Sequence, residues 1–214
     1  MNSINLDFSI VVCCYLGEKT IVRCLGSLIN QNYPHSNYEI IIVDDGSIDN
    51  SSDVIINYLN SIKKNKPSIK YYRTENHGLS CARNFGIHYS TGNYILFIDE
   101  DAEACEEWLS EYRKLIDCNN FPDVIYGLVK PFNNVKGFEE FITHTFYDHL
   151  DIKGQQEPVL IGTNMGFKRD IFISNNGFFD KFNYRGDENI FLLSLNNTYL
   201  SIGNLNAYVY HENP

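Results

Sequence analysis

Two hydrophobic rhythms alternate along the first half of the chain. Residues 8–14, 39–43 and 94–98 are short apolar runs rich in β-branched and aromatic side chains. Runs of that length and composition predict strands buried on both faces. Between them, Ile21, Cys24, Leu25, Leu28 and Ile29 recur at helical spacing, and so do Val54, Ile55, Tyr58, Leu59 and Ile62. Pro34 closes the first helical region. Residues 69–72 predict a short further strand. Asn76-His77-Gly78 predicts a turn, and Ser80 reads as the cap of a helix reaching residue 87. Thr91-Gly92-Asn93 ends that helix. Strands and helices alternating at this pitch predict an α/β fold, a mostly parallel central sheet flanked by crossover helices.

The second half is less regular. Trp108, Leu109, Tyr112, Leu115 and Ile116 predict a helix, and residues 123–129 a strand. Phe138, Phe141, Ile142 and Phe146 predict an aromatic-rich helix over 138–150, with the spacing of a core helix. Residues 158–165 read as extended and 167–173 as a short helix. A loop follows over 177–186. Phe191, Leu192 and Leu195 predict another helix, and residues 207–210 a last strand with His211 just after it. No repeat, low-complexity tract or linker interrupts the chain. A single domain over residues 1–214 is expected, with a break between halves 1–101 and 102–214.

Composition narrows the function. A chain of 214 residues is long enough for a substantial core. Its formal net charge of −10, with 27 acids against 17 bases, argues against a nucleic-acid partner. Fifteen tyrosines and 14 phenylalanines suit a core, and also a site that stacks flat rings or sugar faces. The six cysteines show neither a CxxC nor a Cys/His ligand spacing, which makes zinc an unexpected cofactor. They read as reduced core residues of a cytoplasmic protein. Residues 1–8 lack the basic start and long apolar stretch of a signal peptide. No run approaches the ~20 apolar residues of a membrane span. Peripheral attachment to a membrane, through a partner or a further tail, stays open.

The chemistry is expected where strands end. In parallel sheets, ligands sit outside the carboxyl ends of the strands. Two acidic clusters fall there: Asp44-Asp45-Gly46-Ser47, and Asp99-Glu100-Asp101 after the buried run 94–98. Clustered carboxylates repel one another and resist desolvation, and a divalent cation holding a phosphate relieves both costs. The bland readings are a solvated acidic turn for the triplet, and an Asp-Gly turn with a helix cap for the pair. Arg83 is a fixed cation near these acids, placed either to meet an anion or to bridge to the cluster. Asp187-Glu188 opens a predicted helix, where acids are also favoured by the helix dipole.

Four segments then combine: residues 9–15, the run Ile42-Val43-Asp44-Asp45-Gly46-Ser47, residues 76–86, and Phe97-Ile98-Asp99-Glu100-Asp101. In this order and spacing they resemble the nucleotide-binding half of family 2 inverting glycosyltransferases. That resemblance implies a single Rossmann-like domain of the GT-A type, and transfer from a nucleotide-diphospho-sugar, most commonly a UDP-sugar, to a hydroxyl acceptor. It implies Tyr15, Asp44 and Asp45 at the nucleoside, and Arg83 in the donor pocket. Asp99 and Glu100 would face ribose or sugar. Asp101 would ligate Mn2+ or Mg2+, with His211 as a further ligand.

Residues 162–169 resemble the family's acceptor-side segment. Asp187-Glu188 falls where the family carries its catalytic base, in the reverse of the usual Glu-Asp order, with Glu188 favoured over Asp187. The acceptor implied is a saccharide or lipid-linked saccharide of bacterial cell-surface polysaccharide synthesis, with the enzyme at the inner face of the membrane. Members of the family often continue into a C-terminal tail. The competing expectations are a non-catalytic nucleotide- or carbohydrate-binding module and an Asp-x-Asp phosphatase. Against the phosphatase stand Glu103 two residues after the second Asp and the two strand–helix units that precede the motif.

Overall fold

The computed structural model describes residues 6–63, 65–132, 160–180, 186–195 and 199–211. The predicted aromatic helix over 138–150 lies outside these residues, as does most of the predicted loop beyond residue 180.

The first half alternates as its hydrophobic rhythms require. Strand β1 (Phe8–Cys14) is followed by helix α1 (Ile21–Ile29), β2 (Tyr38–Asp44), α2 (Ser51–Ser61), β3 (Ser68–Arg73), α3 (Leu79–Tyr89) and β4 (Tyr94–Asp99). β2, β1 and β4 bury nearly every side chain. In each, alternate residues serve opposite faces of the sheet. Ile10, Val12, Ile40, Ile42, Leu96 and Ile98 pack with α1, α2 and the later Trp108 helix. Val11, Ile41, Val43, Ile95 and Phe97 pack with α3 and the helices of the second half.

Next come β5 (Glu103–Ala104), α4 (Trp108–Cys118), β6 (Val124–Pro131), β7 (Met165–Lys168), α5 (Arg169–Asn175), α6 (Asp187–Ser194) and β8 (Ser201–His211). All eight strands form one sheet in the order β3-β2-β1-β4-β7-β6-β8-β5. The β3-β2-β1-β4 block is parallel. Beyond it the sheet is mixed: β7 runs antiparallel to β4 and β6, and β5 antiparallel to β8, while β6 and β8 are parallel.

Several expected boundaries move. Phe167, expected in a helix, is a buried strand residue paired with Ile95. Its run is too short for periodicity to separate strand from helix. Of the described part of the expected extended segment, residues 160–165, only Met165 is in a strand, and residues 160–164 form the connection before it. Ser80 lies inside α3 behind the N-cap Gly78, so it does not cap the helix. The last strand starts six residues earlier than expected and includes His211. The cysteines are unpaired, and Cys118 is exposed rather than in the core.

A buried asparagine locks the turn before β7. Asn164 is 1% exposed. Its Nδ2 donates to the carbonyls of Leu128 and Ala207, each at 2.9 Å. Its Oδ1 accepts from Trp108 Nε1 at 2.8 Å and Tyr112 Oη at 2.6 Å. Every hydrogen-bonding site of the amide is used, and α4, β6, β8 and the turn meet on one side chain. Truncation would strand several buried partners, each costing ~1–3 kcal/mol. Asn164→Ala is therefore expected to lower unfolding stability by at least about 3 kcal/mol. A loss below about 1 kcal/mol in chemical denaturation would contradict this role.

Candidate active site

The parallel strands end level with one another. Cys13 pairs with Asp99 and Cys14 with Asp44, so both acidic clusters emerge at one edge of the sheet. A cleft of about 890 Å³ opens there. Its lining includes Tyr15, Asp45, Arg83, Asp99, Glu100, Asp101, Asp187, Glu188 and His211. Nine of the ten residues singled out in the sequence therefore converge on one space. The tenth, Asp44, is absent from the lining and fully buried. Its Oδ2 accepts from Ser52 Oγ at 2.5 Å and Tyr71 Oη at 3.0 Å, and its Oδ1 from the Ser47 N–H at 2.8 Å. Asp44 thus stands behind the site, not in it.

Asp45 does reach the cleft. It accepts from the backbone N–H groups of His77 and Gly78, at 3.0 and 2.9 Å. This fastens the turn before α3 to the end of β2. Tyr15 projects at the rim and is 43% exposed, as a stacking platform requires.

At the end of β4, Asp99, Asp101 and His211 each offer a ligand atom, all within 4.8 Å of one another. His211 Nε2 lies 3.0 Å from Asp101 Oδ1 and 3.9 Å from Asp99 Oδ2. Two carboxylates and an imidazole form a mixed O/N donor set suited to manganese and tolerable to magnesium. The three side chains are partly exposed toward the cleft, so the residues fit a cation shared with a ligand. A hydrogen bond and the charge of His211 hold the Asp101 carboxyl below its usual range. Burial pushes the neighbouring Asp99 up.

Arg83 stands between this cluster and the helix opposite. Its side chain is 3% exposed. Nη1 pairs with Asp187 Oδ1 and lies 3.5 Å from Glu188 Oε2, while Nη2 lies 3.8 Å from Asp99 Oδ1. The rings of Phe97 and Phe178 flank the guanidinium at 5.8 and 5.5 Å. Gly162 leaves it room, because a Cβ there would meet Nη2.

The two acids at the start of α6 differ sharply. Asp187 is 1% exposed and also accepts from Ser80 Oγ at 2.9 Å. Burial opposes its ionisation, but Arg83, Glu188 and Ser80 outweigh that and hold it below the usual carboxylate range. Glu188 keeps 12% of its side chain exposed. Burial, then the adjoining Asp187, pushes its carboxyl up to about 7. One acid is thus committed to Arg83 and the other is held ready to take a proton near neutrality.

Two contributors were given no individual site role by the sequence: Thr163, named only within the segment 162–169, and Ser80, read as a helix cap. Thr163 lines the cleft, and its Oγ1 accepts the Asp99 N–H at 3.3 Å. Ser80 joins the Asp187–Arg83 pair. Neither residue type carries a distinctive signal. Both become visible only when β7 and α6 are placed beside β4 and α3.

Among known proteins, the model of the family "Glycosyl transferase family 2" matches residues 9–174. A poly(ribitol-phosphate) beta-glucosyltransferase of Bacillus spizizenii is 32% identical over 175 residues, covering 79% of this chain and 26% of that protein. The minor teichoic acid biosynthesis protein GgaB of Bacillus subtilis is 36% identical over 127 residues, covering 56% of this chain and 14% of that protein. The chain thus spans about a quarter or less of these relatives.

Among solved structures, residues 1–349 of Staphylococcus aureus TarS, in complex with UDP, superpose with a TM-score of 0.73 at 22% identity. That match covers 96% of this chain and 60% of the other. The mannosyltransferase PcManGT of Pyrobaculum calidifontis, in complex with GDP-Man and Mn2+, superposes with a TM-score of 0.77 at 18% identity, covering 98% and 58%. These likenesses show the fold, of the GT-A type. The family match spans most of the chain, which belongs to glycosyl transferase family 2.

Proposed function

We propose that this chain transfers a sugar from a nucleotide-diphospho-sugar, with UDP the favoured nucleotide, to a hydroxyl of a cell-surface saccharide polymer or its lipid-linked precursor, inverting the anomeric centre. One observation carries the reading. A carboxylate triggered near neutrality, Glu188, shares a cleft with a ready-made cation site of Asp99, Asp101 and His211. The complexes of TarS with UDP and of PcManGT with GDP-Man and Mn2+ support a nucleotide donor and a metal. The names of the Bacillus relatives support a teichoic-acid-like polymer as acceptor. A cytoplasmic site of action at the inner membrane face, reached by peripheral attachment, goes with this reading. No helix among the described residues is long and apolar enough to cross a membrane.

The residues divide the work between the halves 1–101 and 102–214. Tyr15 and Asp45 receive the nucleoside, and Glu100 faces the donor beside Asp99. Asp99, Asp101 and His211 would hold Mn2+ or Mg2+, which when bound supplies charge neutralisation for the departing diphosphate. Glu188 takes the proton of the acceptor hydroxyl as it attacks the anomeric carbon from the face opposite the nucleotide. Asp187 fixes Arg83, and through it the base helix, against the end of β4. No protein nucleophile is required, since displacement is direct.

Glu188→Gln is expected to lower turnover by ~10²–10⁴-fold. UDP affinity in calorimetry should be unchanged. Full activity would transfer the base role to Asp187. The assay is hydrolysis of UDP-glucose, UDP-N-acetylglucosamine and GDP-mannose, with and without manganese; a binding module would hydrolyse none of them.

The pH dependence has a definite sign. Glu188 acts only when ionised, and its carboxyl titrates at about 7. Below that value kcat/KM should fall about tenfold per pH unit, and above it level off. The residual activity of Glu188→Gln should lack this limb. A flat wild-type profile between about pH 5.5 and 8 would contradict the assignment.

His211→Ala removes the imidazole from the cation site. It should raise the manganese concentration for half-maximal activity by about tenfold or more, with little change in melting temperature. An unaltered manganese requirement would exclude His211 as a ligand.

A further inference from the structure

Asp44 was expected at the nucleoside and lies beneath it, yet it is connected to the rim of the cleft. The connection runs through a strained residue. Among the described residues with left-handed backbone, Asn65, Asn120 and Asn176 are of a type that tolerates it. Leu16, at φ 61°, and Phe121, at φ 59°, are not. Leu16 is 47% exposed, so packing does not explain its conformation.

What holds Leu16 is a hydrogen bond. Its backbone N–H donates to Ser47 Oγ at 3.1 Å. Ser47 is itself fully buried and clamped. Its N–H reaches Asp44 Oδ1 at 2.8 Å, and its carbonyl accepts from Arg73 Nη2 at 2.7 Å. A chain of contacts therefore runs from a buried carboxylate, through the backbone and hydroxyl of Ser47, to the peptide between Tyr15 and Leu16. That peptide follows directly on Tyr15, which lines the cleft.

We infer that Asp44 and Ser47 are positioning residues: they hold Leu16 in a backbone conformation it would otherwise leave, and so keep Tyr15 at the nucleoside end of the cleft. Asp44 acts on the donor without touching it. The inference rests on the proposed contact between Tyr15 and the nucleoside.

The probe is UDP with manganese, its affinity measured by calorimetry well below the melting temperature. Ser47→Ala removes the acceptor for the Leu16 N–H, and should weaken UDP about tenfold as Leu16 relaxes. Adding Leu16→Gly should recover the affinity to within about threefold of wild type, because glycine takes φ near 60° without assistance. A Ser47 that served only general stability would not be rescued this way, since Leu16→Gly restores no contact to it. Wild-type affinity in Ser47→Ala, or no recovery in the double variant, would overturn the inference. Tyr15→Ala separates the two layers. Unchanged UDP affinity in that variant would remove the nucleoside contact, and the inference with it. Weakened binding in Tyr15→Ala beside wild-type binding in Ser47→Ala would overturn the inference alone.

Discussion

A buried guanidinium is the constraint on which the site depends. Arg83 cannot shed its proton, and an unpaired charge in a protein interior costs several kcal/mol. At 3% exposure it must be surrounded by anions and hydrogen-bond acceptors. Asp187 supplies the closest, Glu188 and Asp99 the next. These acids come from different halves of the chain, Asp99 from the end of β4 and the other two from α6. Satisfying one cation therefore draws α6 to the end of β4. The same demand explains Gly162, whose missing Cβ leaves the guanidinium its space. It also explains the aromatic walls Phe97 and Phe178, since Arg stacks on ring faces with little loss of charge.

This arrangement lets one cation set two acids apart. Asp187 takes the close contact and ionises easily. Glu188 lies farther from Arg83, and it adjoins a carboxylate already charged. It is therefore the acid whose proton is held to about neutrality. The reversed order of the pair matters less than geometry, because the first residue of α6 is buried against Arg83 and Ser80 while the second keeps part of its side chain exposed. At the other end of the bridge, Asp99 shares its charge between Arg83 and the His211–Asp101 pair. The cation site and the base are thus electrostatically linked through one side chain.

Much of this was legible in the sequence. Strands buried on both faces announce themselves as apolar runs, and acids after such a run must be at a sheet edge facing something positive. That placed Asp44, Asp45, Asp99, Glu100 and Asp101 at one sheet edge before any coordinates, while Glu188 came from the family resemblance. The illegible parts are those set by long-range pairing. Met165–Lys168 is four residues long, and only its antiparallel docking between β4 and β6 makes it a strand. Ser201–His211 includes Asn204 and Asn206, which break the apolar pattern, so only its final residues were readable as extended. Ser80 resembled a cap because serine prefers that place. Its hydroxyl instead serves Asp187, 107 residues away.

Adjacent acids proved hardest to read, for a reason that lies in backbone geometry. On a strand, successive side chains point to opposite faces. Odd-numbered residues of β2 face α3, even-numbered ones face α1 and α2. Carrying that alternation one residue past the strand sends Asp45 to the cleft and Asp44 beneath the sheet, toward Ser52 of α2. On a helix the same step is about 100°, enough to part Asp187 from Glu188 without putting them on opposite sides. A pair of carboxylates in sequence is therefore two environments in space. Of the two, the more exposed faces the cleft, while the buried one organises what surrounds it. Asp44 and Asp187 are the same device on different secondary structures. Each is an anion removed from solvent that fixes a neighbouring element, a turn in one case and a guanidinium in the other, so that the adjoining carboxylate stands where chemistry can use it.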